Sequence, residues 1–436
     1  MATLISPGVS VTVIDESFFI PATAPTVPLF FILTEDNKLT PDGTETAAGT
    51  QESGIIRTIT SATQLSDLYG VPVFRTTAGI ARDGLFTNEY GLWAANTFLG
   101  VGNFCYVVRA DQNLASTTED AAGLSAVLSA LNAEITSTTS GVLSEFFEYN
   151  LILAPYFGYI DFDGSASGTV ATNLIALSNN LNNEAFVIFD GPHEKTPEDF
   201  ATEAGSFPKS VYSAVYYPGG IATNLDGEEI FVPASAIAIR VIARSDRSSE
   251  VWFAPAGFRR GIVDNVSKVG YIASASATTG EGTFTEVDLS NGQRDVLYAD
   301  GKNVNPITRF PGRGIAVFGQ KTQASTTSAL DRINVSRLLV AIRRSIRKGA
   351  LSFVFEPNDQ ITRDNLRVSI EGFLGDILTR RGLFDFAVVS DETNNTPTRI
   401  DRNELYVDIA LKPTKAAEFI FIPIRVLNTG ANLSAV

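Results

Sequence analysis

Apolar residues recur along this chain with two different periods. Near the start, Val9, Val11 and Val13 alternate with Ser10 and Thr12, the period of a strand with one buried face. Pro7 and Gly8 precede this run, which ends at Ile14, and Pro21, Pro25 and Pro28 follow it. Prolines that close together forbid a helix. A short apolar strand cut off from the body by prolines cannot complete its own hydrogen-bond ladder, so it is expected to pair with something else. Residues 29–33 (LFFIL) read as a buried strand, and residues 36–54 as a polar, Gly/Thr-rich loop. A helical stretch around Leu65 and Leu68 follows Ser61. A second helix, 88–99, packs Leu92, Trp93 and Phe98, with Asn88 as its N-cap.

Strand and helix patterns then alternate. Strands are predicted at 103–109, 149–154, 185–190 and 211–217, and helical stretches near 121–132, 171–182 and 197–205. Alternation at this spacing predicts an α/β layer with a largely parallel sheet. Continuous apolar runs such as FVIF suit strands covered on both faces. Residues 134–148 break the pattern and read as a surface insertion. Residues 233–247 read as a helix with Pro233 near its first turn. The run 250–262 does not read as helical, and residues 273–294 are polar and Gly/Thr-rich.

The last quarter has the clearest periodicity. Val335, Leu338, Leu339, Ile342 and Ile346 fall on one face of a helix over 335–348. Arg337, Arg344 and Lys348 are expected to point the other way, Arg343 and Arg347 to flank the stripe, and Gly349 to stop the helix. A strand at 351–355 (LSFVF) is expected next. Thr362 is the expected cap of a second helix with Leu366, Ile370, Phe373, Leu374 and Ile377 on one face, ended by Gly382. Strands at 383–389 and 404–411 follow. The closing run 418–426 (EFIFIPIRV) is apolar on both faces, with Phe419 and Phe421 opposite Ile420, Ile422 and Ile424. Such a strand must be sandwiched, and Pro423 disfavours a place in mid-sheet with both edges paired.

Composition narrows the function classes. The chain has 436 residues and a net charge of −15. That balance argues against a surface devoted to nucleic acid, because phosphate binding draws on clustered Lys and Arg. One cysteine, Cys105, rules out an intramolecular disulfide. The N-terminus lacks the basic region of a secretory signal, and no stretch reaches the roughly 20 apolar residues of a membrane span, so a soluble chain is expected.

Four stretches together resemble contractile tail sheath proteins of phages and related injection particles. They are SPGVSVTVID at the start, PASAIAIRVIARSDRSSEVWFAPAG in the middle, NVNPITRFPGRGIAVFGQKT, and INVSRLLVAIRRSIRKGALSFVFEPND with the closing EFIFIPI. The resemblance covers most of 210–426 plus the first 15 residues. One departure is YYPGG at 216–220, where many relatives carry a bulky residue after the proline. The resemblance implies a mixed α/β, multi-domain structural subunit that is not an enzyme and holds no cofactor. Its partners would be further copies, in stacked hexameric rings forming a helical sheath, together with a tail tube protein and the baseplate and tail terminator proteins. Neither nucleic acid nor direct membrane insertion is implied. The sheath would belong to a virion tail assembled in the host cytoplasm and would contract to drive the tube through an envelope; a bacteriocin or injection-system sheath fits equally. Each subunit would lend its terminal arms to a neighbour's sheet. The expected organisation is an N-terminal arm (1–24), an α/β body (25–320) with an outward-facing middle, an inner C-terminal domain (321–412) and a second arm (413–436). Residues Val9, Val11, Val13 and Ile14 would serve one arm, and Phe419, Ile420, Phe421, Ile422 and Ile424 the other.

Arg337, Arg343, Arg344, Arg347 and Lys348 crowd one short stretch of an acidic chain, with Arg380 and Arg381 ending the next helix. They are candidates for facing the tube, set against a plain solvated helix face with basic residues near its C-terminus. Cys105 and His193 are the one pair that suggests nucleophilic catalysis. Cys105 sits inside an apolar strand and His193 has no second histidine, so core and loop roles are expected. A zinc site of His/Cys type cannot be assembled from one residue of each, and no stretch matches a calcium loop. PGRG (311–314) lacks the residues of a phosphate loop and reads as a tight turn. The enzyme alternative requires titratable residues gathered at the C-terminal ends of the parallel strands.

Overall fold

A computed structural model describes residues 26–77, 80–81, 85–114, 117–136, 148–157, 170–181, 184–224, 226–273 and 282–422. The expected N-terminal arm, most of the 134–148 insertion and Ile424 lie outside the described residues. The chain opens with strand β1 (Pro28–Thr34), β2 (Ile56–Ile59) and helix α1 (Ala62–Tyr69), then a short hairpin, β3 (Thr76–Thr77) with β4 (Ile80–Ala81). It continues through α2 (Tyr90–Leu99), β5 (Cys105–Asp111), α3 (Thr117–Thr136), β6 (Leu151–Leu153), α4 (Val170–Asn180), β7 (Phe186–Asp190), α5 (Pro197–Glu203) and β8 (Ser213–Tyr217). Next come β9 (Gly219–Thr223), β10 (Glu229–Val232), α6 (Ala234–Ser248), α7 (Gly257–Arg260), β11 (Lys268–Ala273), β12 (Thr283–Glu286) and α8 (Asn291–Tyr298). The hairpin β13 (Val304–Phe310) and β14 (Gly314–Val317) leads to α9 (Ile333–Ala350), α10 (Gln360–Thr379), β15 (Leu383–Val389), α11 (Pro397–Asp401) and β16 (Asp408–Pro413).

The alternation of strands and helices builds an eight-stranded sheet in the order β14-β13-β8-β7-β6-β1-β5-β2. Every pairing from β13 to β5 is parallel, and only the edge strands β14 and β2 run antiparallel. Successive residues of β1 serve opposite cores, as the pleat requires. Leu29, Phe31 and Leu33 pack with Leu124, Leu128, Leu174 and Leu177 of α3 and α4. Phe30 and Ile32 pack with Leu92, Trp93 and Phe98 of α2 and Ile237 and Ile242 of α6. Helices on both faces explain why these strands read as unbroken apolar runs.

Several expectations are corrected. Asn88 does not cap α2; its side chain instead accepts from the Arg75 N–H at 2.8 Å. The segment 250–262 contains the one-turn helix α7, and 273–294 contains β12 and the first turn of α8. Helix α8 starts from a Ser290/Gln293 capping box, a local signal that outweighs its weak apolar stripe. β9 through β12 form a second sheet, ordered β10-β9-β11-β12 and antiparallel throughout. It accounts for the YYPGG departure. A Cβ on Gly219 would lie 2.5 Å from the Phe231 ring, and one on Gly220 would lie 2.5 Å from Val266. PGRG is the β13–β14 turn, with positive φ at Gly312 and Gly314.

The C-terminal quarter has its own core. Leu338 and Ile342 of α9, Leu366, Ile370, Leu374 and Ile377 of α10, and Leu383 pack with Val251 and Trp252. Asp359, not Thr362, caps α10, its carboxylate accepting from the Thr362 N–H at 2.8 Å. Arg381 takes the positive φ after that helix, while Gly382 is small because Trp252 and Ile377 crowd it. The expected strand 351–355 is instead a 3-10 turn (Leu351–Phe353) followed by irregular chain, with Leu351, Val354 and Phe355 exposed. Among the described residues no strand pairs with it to complete a ladder, so its β pattern goes unused. The second hairpin strand begins at Asp408, later than the expected 404. The expected strand at 418–426 is likewise absent over 418–422.

Candidate assembly surface

The geometry of α9 decides what its basic residues can do. The sequence pattern implied one buried stripe, but the helix is covered on two sides. Leu338 and Ile342 face the C-terminal core, while Ile333 and Val340 belong to the core of the body. Arginines lying between these faces are therefore buried and must find partners. Arg337 is 4% exposed and forks onto Asp246 of α6, with Nη1 to Oδ1 at 3.1 Å, and the Thr26 hydroxyl donates to the same carboxylate. Arg344 is buried and donates to the carbonyls of Tyr149 and Glu184 at the sheet. Arg337 and Arg344 are therefore not tube-facing groups; they join α9 to the body. Lys348 pairs with Glu148, and Arg347 with Glu184 at 2.7 Å while staying exposed. Arg343 is exposed and stands 5.4 Å from the Tyr212 ring centre. Trp252, the tryptophan of the Trp-x-Ala-Pro-Ala-Gly stretch, makes a second joint by donating to the Arg380 carbonyl at 3.1 Å.

At the C-terminal ends of the parallel strands, where α/β enzymes hold ligands, side chains fill the space. Tyr156 stacks on Tyr90 at 4.9 Å and on His193 at 4.5 Å, and Phe231 closes edge-on against His193. All four are buried. Asp190 accepts from the Ser235 N–H at 2.6 Å, the Ser235 hydroxyl at 2.8 Å and the Tyr156 N–H at 3.0 Å, so its carboxylate ties β7 to the first turn of α6. Cys105 belongs to the opposite core, and the structure does not bring it to His193. Burial also pushes its thiol well above the usual range, away from the thiolate a nucleophile needs.

His193 provides a stability prediction. Burial lowers its pKa to about 3, so the ring is neutral in the fold. The unfolded chain takes up that proton near pH ~6.5. Below that pH the unfolded state binds more protons, and stability falls as pH falls. Asp190 acts oppositely: burial raises it to about 6, so its contribution is lost as pH rises from the unfolded value near ~4. Comparison with His193→Phe cancels the Asp190 contribution. Denaturant midpoints should show the wild type losing roughly 2–3 kcal/mol relative to the variant between about pH 7 and about pH 4.5.

The C-terminal hairpin is an incomplete sheet. β15 and β16 pair only with each other, and their outer edges meet no strand among the described residues. A two-stranded ribbon with free edges is a template for strand addition. After β16 the chain runs to Glu418, then to Phe419, Ile420, Phe421 and Ile422, which are 71%, 76%, 88% and 77% exposed. Among the described residues, four consecutive large apolar side chains in water, a few residues after an open hairpin in the chain, form a surface that asks for a partner. Sequence reading located this run but assigned it a regular strand, which one chain alone cannot supply. It also missed Glu418, whose partners are far away in sequence.

Residues 325–426 match the phage tail sheath C-terminal domain family. The chain is 35% identical over 206 residues to the tail sheath protein of Vibrio phage KVP40, a match spanning 47% of this chain and 28% of that protein. It is 32% identical over 202 residues to the tail sheath protein of Enterobacteria phage T4, spanning 46% and 28%. The matches thus cover less than a third of these relatives' length. The fold is that of the sheath of an extracellular contractile injection system, PVC, in its contracted state (TM-score 0.66, 18% identity, all of both chains). The helical sheath of the anti-feeding prophage in its contracted state is similar too (TM-score 0.62, 21% identity, 97% of this chain and 99% of that one).

Proposed function

We propose that this chain, similar in sequence to tail sheath proteins, is a structural subunit that polymerises around a tail tube and does mechanical work by changing its packing. The exposed run Phe419–Ile422, in a chain whose β15–β16 hairpin pairs with no further described strand, is the observation that carries this reading. Strand addition joins copies: an arm of one subunit pairs with the free edge of another's β15–β16 hairpin, with main-chain bonds giving affinity and alternate side chains giving fit. Residues 1–24 and 413–436 are the arms, 25–320 the body with its middle outward, and 321–412 the inner domain. Copies stack as hexameric rings in a helical sheath on a virion tail or a related injection particle. The tube, baseplate and terminator are the other partners. Contraction follows a free-energy difference between two packings of the same subunits.

The buried strand ends support a structural role over an enzymatic one, since the aromatic stack occupies the place of a ligand. For the tube, the reading narrows to Arg343 and Arg347, with Lys348 beside them. A variant carrying Arg343→Glu and Arg347→Gln should stay folded, with a lowered melting temperature because Glu184 loses the Arg347 partner, and should lose tube binding in cosedimentation, a binding that weakens for the wild type too as salt is raised. Unchanged tube binding would remove these residues from the tube interface. Negative-stain microscopy of the purified chain tests the function itself: striated tubular polymers are expected, and a monomer at every concentration would refute it.

A further inference from the structure

Glu418 stands immediately before the exposed run and is held by three groups of the body. Its carboxylate accepts from Arg332 Nε at 2.5 Å, from Gln320 Nε2 at 2.9 Å and from the Tyr298 hydroxyl at 3.2 Å. These donors come from α8, the segment after β14 and the residue preceding α9, so three separate parts of the chain converge on one side chain. The remaining neighbours reinforce the site. Asp331 pairs with Arg332 at 3.1 Å, and the Lys321 ammonium lies 4.6 Å from the Tyr298 ring centre. At the other end of this short segment, the Thr414 N–H donates to the Gly382 carbonyl at 3.1 Å. Residues 414–418 therefore form a strap from the hairpin to the body, fastened at both ends.

We infer that the Glu418 clamp is the fixed root of the C-terminal arm, a positioning residue that sets where the arm leaves the subunit and so which copy it reaches. The inference rests on the arm reading above. A tethered segment searches a volume set by its free length, so rooting the arm at residue 418 instead of 413 shortens its reach and raises the effective concentration of its end near one partner. Without the clamp the apolar run has more places to go, including the free edges of its own hairpin. Charge-assisted bonds to a carboxylate suit such a root because they tolerate pull while leaving the apolar residues uncommitted.

The test uses the full chain with a spin label on Ala417→Cys, since the natural Cys105 is buried in β5 and does not compete. In the unassembled protein the label should be restrained, and Glu418→Ala should speed its motion severalfold without changing the melting temperature. The same substitution removes all three bonds and should lower the yield of ordered tubes at least about tenfold, the scale of a single lost bond to a charged group. Arg332→Ala should do the same, and the double variant should be no worse than either single one, because the two act through each other. A label equally mobile in wild type and Glu418→Ala overturns the clamp. A freed label with tubes of unchanged yield and order overturns its role in assembly. A wild type that forms no tubes refutes the sheath reading, while the label still reports on the clamp.

Discussion

Replacing Phe419, Ile420, Phe421 and Ile422 together by serine should abolish polymerisation at concentrations where the wild type assembles, and leave the fold intact. The second half follows from exposure: these side chains support nothing in their own subunit. The first half follows from magnitudes. Burying each Phe or Ile side chain is worth about 1.5–3 kcal/mol. Ordering each residue's backbone costs about 1–2 kcal/mol, offset in part by ladder bonds of about 0.5–1.5 kcal/mol each. Both backbone terms are the same for serine, so the loss is in side-chain burial alone. With alternate side chains buried in an added strand, two of the four lose about 3 kcal/mol or more, and the assembly concentration should rise at least about a hundredfold. Pelleting or light scattering across a dilution series measures this, and a thermal melt checks the fold. Assembly at the wild-type concentration would show that the run lies outside the interface.

Arg337→Met should be among the most destabilising single changes in the chain. Arg337 and Asp246 are both buried, and the Thr26 hydroxyl completes the set. Removing the guanidinium strands a carboxylate in a dry site, which costs about 3–5 kcal/mol. Pairing Arg337→Met with Asp246→Leu should recover most of the loss, because two apolar groups replace two charges. Denaturant midpoints of the four proteins form a closed cycle. Because the Thr26 hydroxyl is held by the same Asp246 carboxylate, Arg337→Met should also expose the chain near residue 26 to protease. A midpoint equal to wild type would mean that Arg337 is solvated, as the helix pattern by itself suggests.

That contrast shows what sequence could convey. The parallel sheet was legible because strands such as LFFIL and FVIF are apolar on both faces and are spaced by helical stretches. The burial of Arg337 and Arg344 was not, because periodicity reports how many faces are apolar and not how many neighbours a helix has. α9 has two, and arginine is the residue that spans such a joint, with a long apolar stem and a planar fork of donors. α8 was hidden because its signal lies in a cap, Ser290 with Gln293, and not in a stripe. The exposed Phe355 and the run 419–422 looked like strands because their pattern is that of strands. What the pattern cannot state is where a completing strand would come from. Glu418 was invisible for a related reason: its donors lie at 298, 320 and 332, and no local spacing links them.

The account depends on where residues 419–422 go in the assembled particle, and a cryo-EM reconstruction of polymers grown from the full chain answers this directly. The expected density leaves the body at Glu418 and lies as an added strand along the β15–β16 hairpin of a different copy. Density that turns back onto the hairpin of its own subunit, or a preparation that remains monomeric at every concentration tried, would contradict it.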